Sequence, residues 1–281
     1  MISIRRAHSD DLDFLVELVN HEDVQPFLGG RAARDRNAVA AEIERSQGDP
    51  TSYGRFVIEV DGVRAGVMGF EVENRRSRIA HLERLAVHPD YRGQRVSDEA
   101  ARLLQRHLVV GLGYHRLQLE IYGFNERAQR HAERAGFTRE GVRRQAYWRH
   151  GEWADGVLYA LIRDDLEVPD AIALLHDYVM VHNECVRTGD WEPLGDWFAE
   201  DAELTFEGVP VGPFNGRDEI AAAYKSRPPD DEVVIFAAGE NGEEVVARYG
   251  WLKEPGKHAG RMIVTPLDGK IQKLIVTFDE D

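Results

Sequence analysis

The stretch His81-Leu82-Glu83-Arg84-Leu85-Ala86-Val87-His88-Pro89-Asp90-Tyr91-Arg92-Gly93-Gln94-Arg95-Val96-Ser97 decides the reading of the N-terminal half. It begins as a strand, is stopped by Pro89, and passes through a polar loop into a helix. Backbone N–H groups at such a junction have no helical partner, and the helix dipole adds positive potential, so the junction can hold an anion. Arg92 and Arg95 add charge suited to a pyrophosphate. On these residues alone, a phosphate site and an ordinary strand–loop–helix junction are equally good readings.

Upstream, residues 2–7 predict a strand. Ser9 is expected to cap a helix with Asp10 and Asp11 in its first turn and Leu12, Leu15, Val16 and Val19 as its apolar stripe. A second helix is expected over 36–45. Strands at 56–60 and 63–72 flank Asp61-Gly62, a hairpin turn, and 79–87 forms the next strand. Downstream, a helix is expected from about residue 98 to 110, capped by Ser97 and ended near Gly111 and Gly113. A strand at 116–122, a helix at 125–135 closed by Gly136, and strands near 137–144 and 153–162 complete the unit.

The charged segment 163–169 ends in Pro169 and marks a boundary. Beyond it the pattern changes. A long amphipathic helix over 170–188 is followed by a short one carrying Trp191, Leu194, Trp197 and Phe198. A strand at 203–206, a helix at 217–225, and strands near 233–237, 244–252, 260–266 and 271–278 follow. Helices first and then an antiparallel sheet is an α+β plan.

Composition supports two units. Up to Leu166 there are 25 arginines, no lysine and 26 acidic residues; from Glu167 onward there are 5 arginines, 5 lysines and 24 acidic residues. The net charge of −15 therefore resides almost wholly in the second half. It argues against a nucleic-acid partner, which needs a basic footprint. No apolar run is long enough to span a membrane, and no long apolar region follows Arg5-Arg6 as a signal peptide requires. The lone cysteine, Cys185, suits a reducing cytoplasm and reads as a small core residue. The histidines show no ligand spacing, so no metal is expected.

The opening stretch resembles the central motif of the GNAT N-acetyltransferase family, in which V-x-P-x-x-R-G leads into a glycine-rich loop. Asn125-Glu126-Arg127-Ala128, Gly136-Phe137 and Glu140-Gly141 follow in the order of the later GNAT motifs. Tyr147-Trp148, Trp153-Ala154-Asp155 and Leu158-Tyr159 resemble the branch that acetylates ribosomal-protein N-termini and related amines. The resemblance covers residues 1–165. It implies an α/β fold with a mixed central sheet flanked by helices, acetyl-CoA as co-substrate, and a small-molecule amine or a protein N-terminus as acceptor.

Residue by residue, the resemblance implies that Leu85, Ala86 and Val87 offer backbone groups to the pantetheine arm and one N–H to the thioester oxyanion. It implies that Arg92, Gly93, Gln94, Arg95, Val96 and Ser97 hold the pyrophosphate, and that Asn125 and Arg130 serve the cofactor side. The amine must lose a proton before attack. Glu83, expected to share a face with His81 and Leu85, is the first candidate base and His81 the second. A salt-bridged strand carboxylate is nearly as good a reading of Glu83. Two departures matter. Arg95 and Ser97 stand where the family loop has glycines, and Ala132, beside His131, stands where many members carry a proton-donating tyrosine.

In the second half, Gly189-Asp190, Trp197-Phe198-Ala199-Glu200-Asp201-Ala202 and Gly212-Pro213-Phe214-Asn215-Gly216-Arg217-Asp218-Glu219-Ile220 resemble the SnoaL-like and nuclear-transport-factor-like superfamily. The resemblance covers 170–281 and implies an α+β cone, a curved antiparallel sheet with helices around a pocket. Tyr178, His182, Asp201, Glu203, Tyr224, Tyr249 and Trp251 are its candidate lining. Members of both superfamilies often dimerise, so a homodimer is among the expected states. The alternatives are a degenerate, non-catalytic GNAT scaffold, or isomerase or cyclase chemistry in the cone.

Overall fold

The computed structural model describes residues 1–28 and 35–279. The chain forms two compact units, residues 1–109 with 114–166, and residues 110–113 with 167–281.

The first unit is built on a seven-stranded sheet. Its strands are β1 (Ile2–Arg6), β2 (Tyr53–Val60), β3 (Val63–Asn74), β4 (Ile79–Val87), β5 (Arg116–Tyr122), β6 (Thr138–Arg149) and β7 (Glu152–Ile162), in the order β1-β2-β3-β4-β5-β7-β6. All neighbours are antiparallel except β4 and β5, which run parallel. The helices are α1 (Leu12–Asn20), α2 (Arg36–Gly48), α3 (Val96–Arg106) and α4 (Glu126–Arg134). Leu15, Leu18 and Val19 of α1 and Val39 and Ile43 of α2 pack with Val57 and Val67 of the sheet as one apolar cluster.

Several boundaries differ from the expectations for physical reasons. Ser9 does not cap a helix. Residues Ser9–Asp11 form a 3-10 turn, and the Asp11 carboxylate accepts the His8 N–H at 2.8 Å. Helix α3 starts at Val96, one residue before the expected cap Ser97. Its N-cap is Arg95, in left-handed backbone at φ 57° and without a side-chain cap bond. The helix ends in a π-turn, His107–Gly111. Strand β6 runs on to Arg149 because His150 and Gly151 both take positive φ and make a tight hairpin, which pairs Trp148 with Trp153.

The second unit carries helices α5 (Asp170–Thr188) and α6 (Arg217–Ser226) and strands β8 (Phe198–Phe206), β9 (Phe214–Asn215), β10 (Val233–Asn241), β11 (Glu244–Trp251), β12 (Gly260–Leu267) and β13 (Lys270–Phe278). The sheet order is β10-β11-β12-β13-β8-β9. Only β13 and β8 run parallel. The expected short helix is a 3-10 segment, Glu192–Trp197, and Phe198 already belongs to β8. Cys185 is buried in α5 within the apolar core cluster, and that burial raises its thiol pKa.

The cone candidates separate into two sets. Tyr178, His182, Tyr224 and Tyr249 are buried. The Tyr178 and Tyr224 hydroxyls hydrogen-bond at 2.8 Å, and Trp191 stacks on Tyr224 at 5.3 Å. Asp201 is an exposed residue within β8, and Glu203 pairs with Lys273 at 3.4 Å. The buried residues Ala202 and Leu204 alternate with them, so strand periodicity turns both carboxylates away from the apolar interior. That removes the two acids from the expected lining.

Candidate functional site

The parallel pair β4/β5 does not stay paired. Its register runs only through Ile79↔Arg116, Ala80↔Leu117 and His81↔Gln118. Beyond it, residues 82–87 of β4 and 119–122 of β5 have no partner in each other, so the centre of the sheet opens into a wedge. Open strand edges inside a fold present unpaired backbone donors and acceptors to any extended chain that enters. A pantetheine arm, with two amides in a row, fits such an edge.

At the mouth of the wedge, the backbone N–H groups of Gly93, Gln94, Arg95, Val96 and Ser97 make no backbone hydrogen bond to another described residue. Gly93 at φ 80° and Arg95 at φ 57° bend this segment ahead of the α3 N-terminus. A run of free N–H groups with alternating left-handed residues is an anion cradle. The loop therefore fits a pyrophosphate through its backbone. Arg95 adopts the geometry that a family glycine would supply, and its side chain is exposed, as are Gly93 and Gln94.

The side chains are otherwise engaged. Arg92 donates from Nε to the Val87 carbonyl at 3.3 Å and from Nη1 to Asp23 at 3.1 Å, which pins the loop to the end of β4. Gln94 donates to the Asp90 carbonyl at 3.3 Å. Val96 is buried, so only its backbone can serve a ligand. Asn125 caps α4, its Oδ1 accepting from the Ala128 N–H at 3.2 Å. Arg130 pairs with Glu126 at 3.1 Å on the exposed side of that helix. Ala132 is buried, and His131 next to it pairs with Asp98 at 2.9 Å, joining the first turn of α3 to α4. Burial holds His131 below its ordinary pKa despite that carboxylate.

The two faces of the wedge differ. Residues opposite each other in a ladder share a face, so His81 with Gln118 sets His81 and Glu83 on the same face as Glu120 and Tyr122. Leu119 and its partner Tyr159 take the other face, where the Tyr159 hydroxyl reaches Glu133 of α4 at 3.2 Å. Helix α4 therefore lies on the face opposite the carboxylates Glu83 and Glu120.

Glu83 is not a free carboxylate. Arg55, 2% exposed, sits on the same ladder row two strands away and donates to Glu83 at 3.0 Å, to the Tyr53 hydroxyl at 2.7 Å, and pairs with Glu42 at 3.0 Å. Burial pulls the Arg55 pKa down, but Tyr53, Glu42 and Glu83 outweigh it and the net direction is upward. Gly69 lies between Arg55 and Glu83 in the ladder, and a Cβ there would overlap the guanidinium. The expected face-sharing of Glu83 with Leu85 does not occur. Arg84 takes φ 57°, and the register slips between Val67/Ala86 and Gly69/Glu83, so a β-bulge breaks the alternation.

Glu120 is the carboxylate that sequence reasoning passed over. Its Oε2 pairs with Arg143 at 2.8 Å, while its buried Oε1 has no hydrogen-bond partner. It lies over Gly156 of β7 beside Tyr147. Burial, and then Glu120 itself, push the Tyr147 hydroxyl above its ordinary pKa. Tyr122 meets Tyr147 edge-on at 5.1 Å and stacks on Phe124 at 5.3 Å. The signal in the sequence was Gly156, a glycine in mid-strand with ordinary strand neighbours. Among the described residues no three His, Cys, Asp or Glu side chains gather to hold a metal.

This architecture, a parallel strand pair that splays above an anion-cradling loop, is that of the GNAT acetyltransferase fold. Residues 2–138 match the acetyltransferase (GNAT) domain family, and residues 179–271 match the SnoaL-like domain family. The chain thus joins a GNAT acetyltransferase domain, a class whose co-substrate is acetyl-CoA, to a SnoaL-like domain. It is 30% identical over 116 residues to the SPbeta prophage-derived uncharacterized N-acetyltransferase YokL of Bacillus subtilis. That match takes in 41% of this chain and spans 64% of the relative's length. It is 27% identical over 156 residues to spermidine N(1)-acetyltransferase of Escherichia coli, 56% of this chain and 83% of that protein. Among solved structures, the spermidine N-acetyltransferase of Vibrio cholerae in complex with CoA and spermine shares the fold at TM-score 0.54 and 17% identity, covering 58% of this chain and 96% of that one. A ribosomal alpha-N-protein acetyltransferase in complex with coenzyme A does so at TM-score 0.53 and 21% identity, covering 59% and 96%. No helix among the described residues is long and apolar enough to cross a membrane.

Proposed function

We propose that this protein transfers an acetyl group from acetyl-CoA to a primary amine, a small molecule or a protein N-terminus, through the 1–165 domain. The observation that carries the reading is the wedge between β4 and β5 with the unused N–H groups of residues 93–97 at its mouth. Acetyl-CoA supplies an activated thioester whose carbonyl becomes an oxyanion when the amine attacks. The bulged segment Leu85–Val87 offers backbone N–H groups to that oxygen. The five loop N–H groups, the α3 dipole and Arg95 bind the pyrophosphate. Asn125 and Arg130 serve the cofactor side of α4.

The amine enters from the face of Glu83 and Glu120. Glu83 and His81 remain candidate bases on that face, but Glu83 already balances Arg55. Glu120 is a further candidate proton acceptor, because its Oε1 is buried on that face without a hydrogen-bond partner while its Oε2 pairs with Arg143. With Ala132 in place of a tyrosine, Tyr147, whose hydroxyl interacts with that carboxylate, is the candidate donor for the departing thiolate. The cone domain, residues 170–281, then serves as a ligand-binding or dimerisation module.

Calorimetric titration of the full chain with acetyl-CoA, beside an Arg92→Ala, Asn125→Ala variant, tests the reading. Micromolar binding that weakens at least tenfold in the variant supports it. No binding by the wild type refutes it.

A further inference from the structure

The β4 bulge is occupied by an arginine in a conformation that L side chains rarely hold. Arg84 at φ 57° is the extra residue in the strand, so its neighbourhood is released from the β3 ladder and turned toward the wedge. A glycine could take this geometry freely. Arginine takes it here within a ring of charge. Arg84 Nη2 pairs with Glu42 Oε1 at 2.5 Å, and its Nε lies 3.8 Å from Glu83 Oε1. Arg55 Nη2 closes the ring, 3.0 Å from both Glu42 Oε2 and Glu83 Oε1. Glu42 comes from α2, Arg55 from β2, and Glu83 and Arg84 from β4 itself.

The ring is costly in itself. Arg55 is nearly inaccessible, and its Nε and Nη1 have no hydrogen-bond partner. Gly69 must stay bare to make room for it. A buried guanidinium that leaves two of its nitrogens unsatisfied adds little stability, since desolvation consumes most of the Coulomb gain. What it does provide is a fixed position for two carboxylates that grip Arg84 from either side.

We infer that Glu42 and Arg55 are positioning residues that hold Arg84 in its left-handed conformation and so aim the backbone N–H group of Leu85, the residue left out of the β3 ladder beside it, at the thioester carbonyl. The inference rests on the proposed acetyl-CoA site, and adds that its oxyanion contact is set from α2, by a residue that touches no substrate. Glu42 acts on the bulge and not on the pyrophosphate loop. Its loss therefore weakens recognition of the thioester carbonyl and leaves recognition of the rest of the cofactor alone.

CoA and acetyl-CoA differ at the acetyl group, so the ratio of their dissociation constants, measured by calorimetry on the full chain, reads that contact without requiring an acceptor. In the wild type acetyl-CoA is expected to bind about fivefold tighter than CoA, the worth of one hydrogen bond. In Glu42→Gln the ratio falls to about one while the CoA constant is unchanged, which also shows that the variant is folded. Arg84→Gly in the Glu42→Gln background restores the ratio, because glycine reaches the left-handed region without a clamp. A Glu42→Gln protein that keeps the full ratio, or a double variant that fails to regain it, overturns the inference and leaves the acetyl-CoA site standing. A wild type that binds neither ligand overturns the proposed function and this inference with it.

Discussion

The carboxylate of Glu120 occupies the space where a side chain on Gly156 would stand. The two residues lie on neighbouring strands of one sheet, and a Cβ at 156 would overlap Glu120 Oε1 and press on the Tyr147 ring. Gly156 has ordinary strand backbone, so the constraint is space, not torsion. It is what lets a carboxylate and a phenol meet over β7 beside the open wedge.

Gly156→Ala is therefore expected to be far more harmful than an alanine in a strand usually is. Overpacking of this kind costs roughly 1–3 kcal/mol. Acetyl transfer falls with it, because the methyl displaces Glu120. Thermal denaturation together with steady-state kinetics on a responsive amine checks both effects.

If Glu120 accepts the amine proton, Glu120→Gln lowers kcat by roughly 10²- to 10⁴-fold, the usual worth of a general base, and changes acetyl-CoA affinity little. Glu83→Gln lowers kcat less and destabilises the fold more, since it strands Arg55 without one of its two carboxylates. Matched kinetics and urea unfolding on the two variants separate the roles. A larger kcat loss in Glu83→Gln would return the base to Glu83.

Arg95→Gly is expected to raise stability by about 1 kcal/mol, because the residue sits at φ 57° where glycine has no steric penalty. The same variant binds CoA more weakly, and the deficit shrinks as salt is added, because the lost group is an exposed charge. Chemical denaturation and titrations at two ionic strengths test the pair of effects.

The second unit should be acid-sensitive through one histidine. Burial lowers the His182 pKa to about 4, against an ordinary value of 6.5. The folded pKa lies below the unfolded one, so the unfolded chain binds the extra proton first. The histidine's contribution is fully present above pH 6.5 and is lost as pH falls toward 4. The shift corresponds to roughly 3 kcal/mol. His182 Nδ1 faces Asn183 Oδ1 at 3.2 Å, and Asn183 in turn pins Val233 through both its N–H and its carbonyl, at 2.8 Å each. Urea midpoints between pH 7 and 4.5 should fall steeply in the wild type and more gently in His182→Gln.

The sequence by itself determined the two families and, apart from the short strand β9, the order of elements in each unit, and it marked one strand–loop–helix junction as a candidate anion site. These follow from local signals: hydrophobic period, turn residues and a motif read along one strand–loop–helix passage. Even Cys185 and the acidic second half were legible, since burial in an amphipathic helix and net charge need no partner from afar. Only the tertiary structure showed which candidate groups are already engaged by partners from elsewhere in the chain. For Glu83 a base and a salt-bridged carboxylate were both open in the sequence, because its counter-ion, Arg55, lies 28 residues away and meets it across a bare Gly69. Glu120 looked like an ordinary strand residue because its desolvation comes from Gly156 and Tyr147 on two other strands. The bulge at Arg84 reversed the alternation that placed Leu85 beside Glu83, and it is held by Glu42 from a helix. Strand alternation is a local rule; ion pairing, desolvation and bulges are set by what the sheet brings alongside.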